Sequence, residues 1–388
     1  MIAGLHFAPE TIIFVGYEEE DSSLKTEDLE LFCEEKLPDT KLIFEMLTKQ
    51  TLEHTTLKLS KLVDSYPDCV FDMTGGDELV LAAMSIVAEE KDIPMIQYDI
   101  AEDTLRKVRG GERVEDPYGA HLTAEESVLL NGGKILEAED GFSWMMTAEF
   151  RRDVEMMWDI CRRDTRYWNR QIYALSTLMN WYGGDVTLTL SIKKSLLPPR
   201  GVFVPEEEFL EELSDCGLLF GLVQNTDFLK FRFKNEQIAR VLFKAGNILE
   251  LYGYMLLREI CEEDRGFYDD IKIGVSVDWD GVVHSGSLMT KDTKNEIDLL
   301  VMRKLIPIFI SCKNGEVHKE ALYELETVAE HYGGKYAKKM LLSTYVDNDD
   351  SSKGYILQRA CDMGISVLCG IHDMSKAEIK ERLRQLTE

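Results

Sequence analysis

The chain has 388 residues, 45% hydrophobic and 30% charged, with a formal net charge of −27. That is the profile of a globular protein with room for about two or three domains, and it excludes a chain that coats nucleic acid through a basic surface. No run approaches the roughly 18 apolar residues of a membrane span, and no charged stretch precedes a cleavable apolar core at the N-terminus, so a cytoplasmic protein with no membrane partner is expected. The eight cysteines form no C-x-x-C pair, which argues against a zinc site and a disulfide framework.

Residues 1–145 alternate between strand-like and helix-like segments: Thr11–Tyr17, Leu57–Leu59, Cys69–Met73, Asp77–Glu90 and Ile93–Tyr98. Such alternation predicts a parallel sheet with covering helices, that is, an α/β domain. Its most specific feature is Phe71-Asp72-Met73-Thr74-Gly75-Gly76, a strand that runs into a glycine turn and opens a helix. Glycines there allow positive φ and close approach of a ligand, and a helix N-terminus offers N–H groups to phosphate. A tight turn that binds nothing has equal standing on these residues, because Asp77 and Glu78 are good helix-start residues and poor neighbours for phosphate.

From Ser143 to Asn180 an amphipathic helical connector carries aromatic residues among arginines, a pattern more typical of packing with a solvated face than of base stacking. Pro205–Cys216 reads as a helix, and Leu218–Val223 with Leu229–Phe233 as a hairpin, which together suggest a winged-helix-like spacer that, with the helical connector, makes up residues 146–234. Its helix bears Glu206, Glu207, Glu208, Glu211 and Glu212, a poor surface for reading DNA.

Residues 235–388 form the third expected domain, also mixed α/β. Asn235–Ile260 shows apolar residues at helical spacing, and Glu250 interrupts a hydrophobic neighbourhood, so it sits at a boundary or is buried with a partner. Glu296–Met302 and Pro307–Lys313 read as two strands joined at Arg303–Leu305. A hairpin folded about Lys304 and Leu305 sets Asp298 opposite Ser311 and Glu296 opposite Lys313, all on one face. Two carboxylates and a lysine in one patch suit phosphodiester hydrolysis assisted by Mg²⁺ or Mn²⁺, although a cross-strand ion pair is the commoner meaning of such spacing. Beyond it, Val317–His331 and Gly354–Met363 read as helices, with Tyr336–Tyr345 and Ile365–Cys369 as strands. The seven histidines show no metal-ligand spacing, and neither a G-x-S-x-G nor a Walker motif occurs.

The order acidic strand, turn, apolar strand ending in x-x-Lys resembles the PD-(D/E)xK restriction-endonuclease-like nucleases. Gly246–Glu250 matches their G-x-x-L-E helix, while Ser311 stands where that family has its second acid. Together with the D-x-T-G-G turn, Leu122–Glu126, Leu130–Gly133, Leu322–Leu325 and Gly333–Tyr336, these motifs resemble the CARF-domain nucleases of CRISPR defence, across nearly the whole chain. The resemblance implies a Rossmann-like CARF domain in a homodimer, with a cyclic oligoadenylate activator in a pocket that includes Thr74, Gly75 and Gly76. It further implies cleavage of DNA or RNA with Glu250 and Asp298 as metal ligands, Lys313 as the catalytic lysine, and Glu296 and Ser311 in support. Two departures stand out: Asp77-Glu78 follows T-G-G where the family often has lysine, and Met1–His6 matches the end of the family's first helix, as though a strand and loop preceded it. A second expectation is a non-catalytic nucleotide sensor with a decayed nuclease fold, which Ser311 favours.

The charge is uneven. Residues 236–388 carry 20 basic and 26 acidic groups, against 24 and 45 in residues 1–235. A polyanion is repelled least by the C-terminal part, and bound divalent metal lowers that repulsion further.

Overall fold

The computed structural model describes residues 2–17, 26–100, 102–114, 121–139, 144–184, 187–279, 294–344 and 355–388. They divide into two compact units. The first is built mainly from residues 1–134 and takes in the turn residues Lys304–Ile306, and the second comprises 135–279, 294–303 and 307–388. The expected spacer and the expected nuclease segment both lie in the second unit. Ser143, Tyr345 and Gly354, which the expected elements included, lie outside the described residues. Among the described residues no helix is long and apolar enough to cross a membrane.

In the first unit, strand Thr11–Tyr17 pairs in parallel with Lys41–Leu47, a strand not among the expected elements. A second sheet orders Phe71–Asp72, Met95–Asp99 and Thr104–Lys107; its first pair is parallel and its second antiparallel, so the expected parallel sheet is only partly realised. Leu57–Leu59 lies inside helix Leu52–Ser65. That helix packs on Glu78–Lys91 through Leu59, Val63, Ala83 and Val87, which close a core with Phe71 and Ile93. Thr123 and Glu126 form a capping box at the start of Ala124–Leu130, satisfying two backbone N–H groups reciprocally.

The second unit holds a six-stranded sheet in the order Ile365–Cys369, Lys338–Ser343, Ile306–Lys313, Lys294–Arg303, Asp270–Asp278, Lys134–Glu137. The hairpin is central, and its turn is the two residues Lys304 and Leu305, with Lys304 at φ 59°. The first two of these strands run parallel to each other and to Ile306–Lys313, whereas Asp270–Asp278 is antiparallel to Lys294–Arg303.

The single helix expected over Asn235–Ile260 is two: Glu236–Val241 and Asn247–Glu263. The break is stabilised by Asn247 Nδ2, which donates to the Arg240 carbonyl at 2.9 Å. The longer helix is buried nearly all round, from Ile248 to Ile260. Gly253 lets it lie against the sheet, because a Cβ there would be 3.1 Å from Leu342 and 3.2 Å from Leu299. On its other side Tyr252 stacks on Trp158 of the connector helix Ala148–Arg163, with ring centroids 4.5 Å apart. The connector is helical as expected, continuing as Thr165–Tyr182. The spacer's helix is Glu207–Asp215 and its hairpin Leu219–Gln224 with Phe228–Phe233, to which Thr189–Lys193 adds a third strand.

Candidate active site

Close packing at Gly253 fixes the N-terminal turn of its helix over the sheet, and Glu250 sits one turn before that glycine. Leu299, one of the two contacts at Gly253, is the neighbour of Asp298. Three chain segments thus converge: the start of helix Asn247–Glu263, the middle of strand Lys294–Arg303 and the end of strand Ile306–Lys313.

Asp298 is the best-anchored group. Its Oδ2 accepts the backbone N–H of Cys312 at 2.6 Å and the hydroxyl of Ser311 at 3.2 Å, with Lys313 Nζ 3.9 Å away. Oδ1 has no hydrogen bond among the described residues. Burial pushes the Asp298 carboxyl up from its ordinary value, and Lys313, the Cys312 N–H and Ser311 oppose that rise.

Glu250 has no such help. Its carboxylate makes no hydrogen bond or ion pair among the described residues, and Oε1 folds back to within 3.3 Å of where a Gly246 Cβ would be. Burial first, then the charges of Asp298 and Glu296, push its carboxyl up to about 8. Two carboxylates held close in a partly desolvated place, each raised against its ordinary value, form a site that a cation relieves. Glu296 belongs to the same field but lies exposed at the rim. Among the described residues no three His, Cys, Asp or Glu side chains close into a coordinating cluster. At the hairpin position opposite Asp298 stands the Ser311 hydroxyl, which donates to that carboxylate.

Thr74, Gly75 and Gly76 form a separate feature in the first unit. Thr74 Oγ1 donates to Asp72 Oδ1 and accepts the Tyr98 backbone N–H at 3.0 Å, so the threonine side chain is engaged in holding the turn. Gly75 and Gly76 are open: a Cβ on either meets nothing within 4 Å, and Gly76 has φ +135°. Two of the first N–H groups of the next helix are already taken. Asp77 caps it, taking the N–H of Leu79 at 2.8 Å and of Val80 at 3.2 Å.

Residues 236–387 match the family model described as Card1-like, endonuclease domain. Along the chain the fold is similar to that of protein VC1899 from Vibrio cholerae, with TM-score 0.74 and 15% identity over 97% of this chain and 90% of that one. It is also similar to Can2 from Sulfobacillus thermosulfidooxidans, solved in complex with cyclic tetra-adenylate, with TM-score 0.68 and 17% identity over 100% of this chain and 95% of that one. No curated protein matches the chain in sequence.

Proposed function

We propose that this chain is a metal-dependent endonuclease, active as a homodimer, that cuts DNA or RNA when a cyclic oligoadenylate binds its CARF-type unit. The observation that carries the reading is the meeting of Glu250, Asp298 and Lys313 within a segment that matches a Card1-like endonuclease domain. The activator is supported by the fold shared with Can2, whose structure contains cyclic tetra-adenylate, and by the open glycines at the T-G-G turn.

The acidic residues fit a divalent cation, since Glu250 and Asp298 Oδ1 carry lone pairs with no protein donor among the described residues and both carboxyls are destabilised by burial. When bound, Mn²⁺ or Mg²⁺ supplies Lewis-acid activation of the phosphodiester and of the attacking water. The chain's own residues do the rest. Ser311 and the Cys312 N–H hold Asp298 in one orientation, leaving Oδ1 for the ion. Lys313 lies 3.9 Å from Asp298 and is only partly exposed, which suits it to orient the water or to offset charge as it develops on the phosphate. Glu296, at the rim, adds to the negative field that favours cation capture.

A non-catalytic sensor is the second reading, favoured by the hydroxyl at Ser311. Cleavage of labelled DNA and RNA by the wild type and by Asp298→Asn, with Mn²⁺ and cyclic tetra-adenylate, separates the two. Activity lost in the variant supports the enzyme, and a folded, activator-bound wild type that cuts neither polymer supports the sensor.

A further inference from the structure

Directly after Lys313 the chain places an asparagine whose side chain is bonded on every side. Asn314 Nδ2 donates to the Ala245 carbonyl and to Asn169 Oδ1, both at 3.1 Å, and contacts the Cys161 sulfur at 3.4 Å. Its Oδ1 accepts the Thr344 hydroxyl at 3.2 Å, and its backbone carbonyl accepts Asn169 Nδ2 at 2.6 Å. These partners come from four other places: the two connector helices, the residue just before Gly246, and the end of the neighbouring strand. Cys161 is buried and its thiol is pushed up to about 12 by burial, so it stays protonated beside the amide. The turn closes tightly on the same partner. Gly315 has φ +141°, and a Cβ there would be 3.2 Å from Asn169 Nδ2.

Only a primary amide fits this position. It must donate two hydrogens and accept at its oxygen, which a carboxylate or a hydroxyl of that reach cannot do. What it joins is specific: Lys313 is its covalent neighbour, and Ala245 leads into the Gly246–Glu250 turn. We propose that Asn314, locked by Asn169, is a positioning residue for the nuclease reaction, setting the spacing between Lys313 and Glu250 and fixing both to the connector helices. The inference rests on the catalytic reading of Lys313 and Glu250. It adds two residues, Asn314 and Asn169, that act through Lys313 and Glu250.

The test measures kcat and KM of the full-length protein with Mn²⁺, cyclic tetra-adenylate and a labelled oligonucleotide. The variants are Asn314→Ala, Asn169→Ala, the double variant and Lys313→Ala, assayed well below their thermal midpoints. Asn169→Ala is the informative single change, because it leaves the bonds of Asn314 to Ala245 and Thr344 in place and should fold. A displacement of about 1 Å at a reacting group costs on the order of 100-fold in rate. Each asparagine variant should therefore lose roughly 10- to 100-fold in kcat, with KM held to within about twofold. The double variant should lose no more than the worse single, as expected of two residues acting as one unit. Wild-type kcat in Asn169→Ala, a loss confined to KM, or independent losses that multiply in the double variant would each overturn the positioning role. If Lys313→Ala is itself wild-type-like, the catalytic reading fails instead, and the two failures are told apart.

Discussion

The hydroxyl of Ser311 donates to Asp298 Oδ2 at 3.2 Å across the central hairpin. A carboxylate at that position would add a cation ligand, whereas the hydroxyl orients Asp298 instead. On the proposed reading the site has two strong oxygen ligands, Asp298 and Glu250, arriving from different elements.

Metal choice follows. Mg²⁺ keeps its waters and demands near-ideal octahedral geometry, whereas Mn²⁺ tolerates a mixed, incomplete shell. Cleavage with Mn²⁺ should exceed cleavage with Mg²⁺ by roughly tenfold at low millimolar metal, with little or none in Ca²⁺. Ser311→Glu should narrow the gap. Equal rates in Mn²⁺ and Mg²⁺ for the wild type would mean that another acid reaches the metal.

Lys313→Ala should lower kcat by about 10²- to 10³-fold while leaving the thermal midpoint nearly unchanged, since an active-site lysine acts on the transition state and adds little to the core. Its one ion pair among the described residues is the 3.9 Å approach to Asp298, at a side chain 35% exposed. Single-turnover cleavage together with a melting curve checks both halves, and a variant that cuts at the wild-type rate removes the lysine from the mechanism.

The raised carboxyl of Glu250 ties stability to pH. Its folded value, about 8, lies above the ordinary 4.5 because of burial and the neighbouring acids, so the folded state binds that proton more tightly than the unfolded chain does. The associated stability is fully present below about pH 4.5 and is lost as pH rises toward about 8. Metal-free protein should melt at progressively lower temperature across that window, and Glu250→Gln should flatten the trend. Parallel curves for the two proteins in scanning calorimetry would show that Glu250 does not load the site.

The turn at Thr74–Gly76 separates folding from ligand contact. A Cβ at Gly75 meets nothing within 4 Å, so Gly75→Ala should fold normally yet weaken cyclic tetra-adenylate binding by intruding on the ligand. Gly76→Ala should also destabilise, by on the order of 1–3 kcal/mol, because φ +135° strains an L side chain. Calorimetric titration of both variants decides the matter: unchanged affinity in Gly75→Ala places the activator elsewhere.

The hairpin was legible in the sequence because period two and a two-residue turn suffice to bring Asp298 against Ser311, and the observed hydrogen bond agrees. The apolar spacing around Glu250 was legible too, but not the break at Phe243–Gly246, which depends on a tertiary bond from Asn247 to the Arg240 carbonyl. Helical periodicity runs straight through such a break. Strands Lys41–Leu47 and Asp270–Asp278 are not among the expected elements, although the apolar KLIFEML run and the alternation of IKIGVSV are visible in the sequence. The capping of helix Glu78–Lys91 by Asp77 shows the opposite case, a local signal that was read correctly and whose consequence, occupied N–H groups, appears only in three dimensions. Asn314 carried no signal, since its partners Cys161, Asn169, Ala245 and Thr344 are scattered along the chain.

The most direct measurement is cleavage of labelled single-stranded and supercoiled DNA and of RNA by the full-length chain in Mn²⁺, with and without cyclic tetra-adenylate. The account predicts cutting of at least one of these polymers that requires both the metal and the activator and disappears in Asp298→Asn. Folded protein that binds the activator and leaves every polymer intact, or that cuts equally well without the activator or with Asp298 replaced, would contradict it.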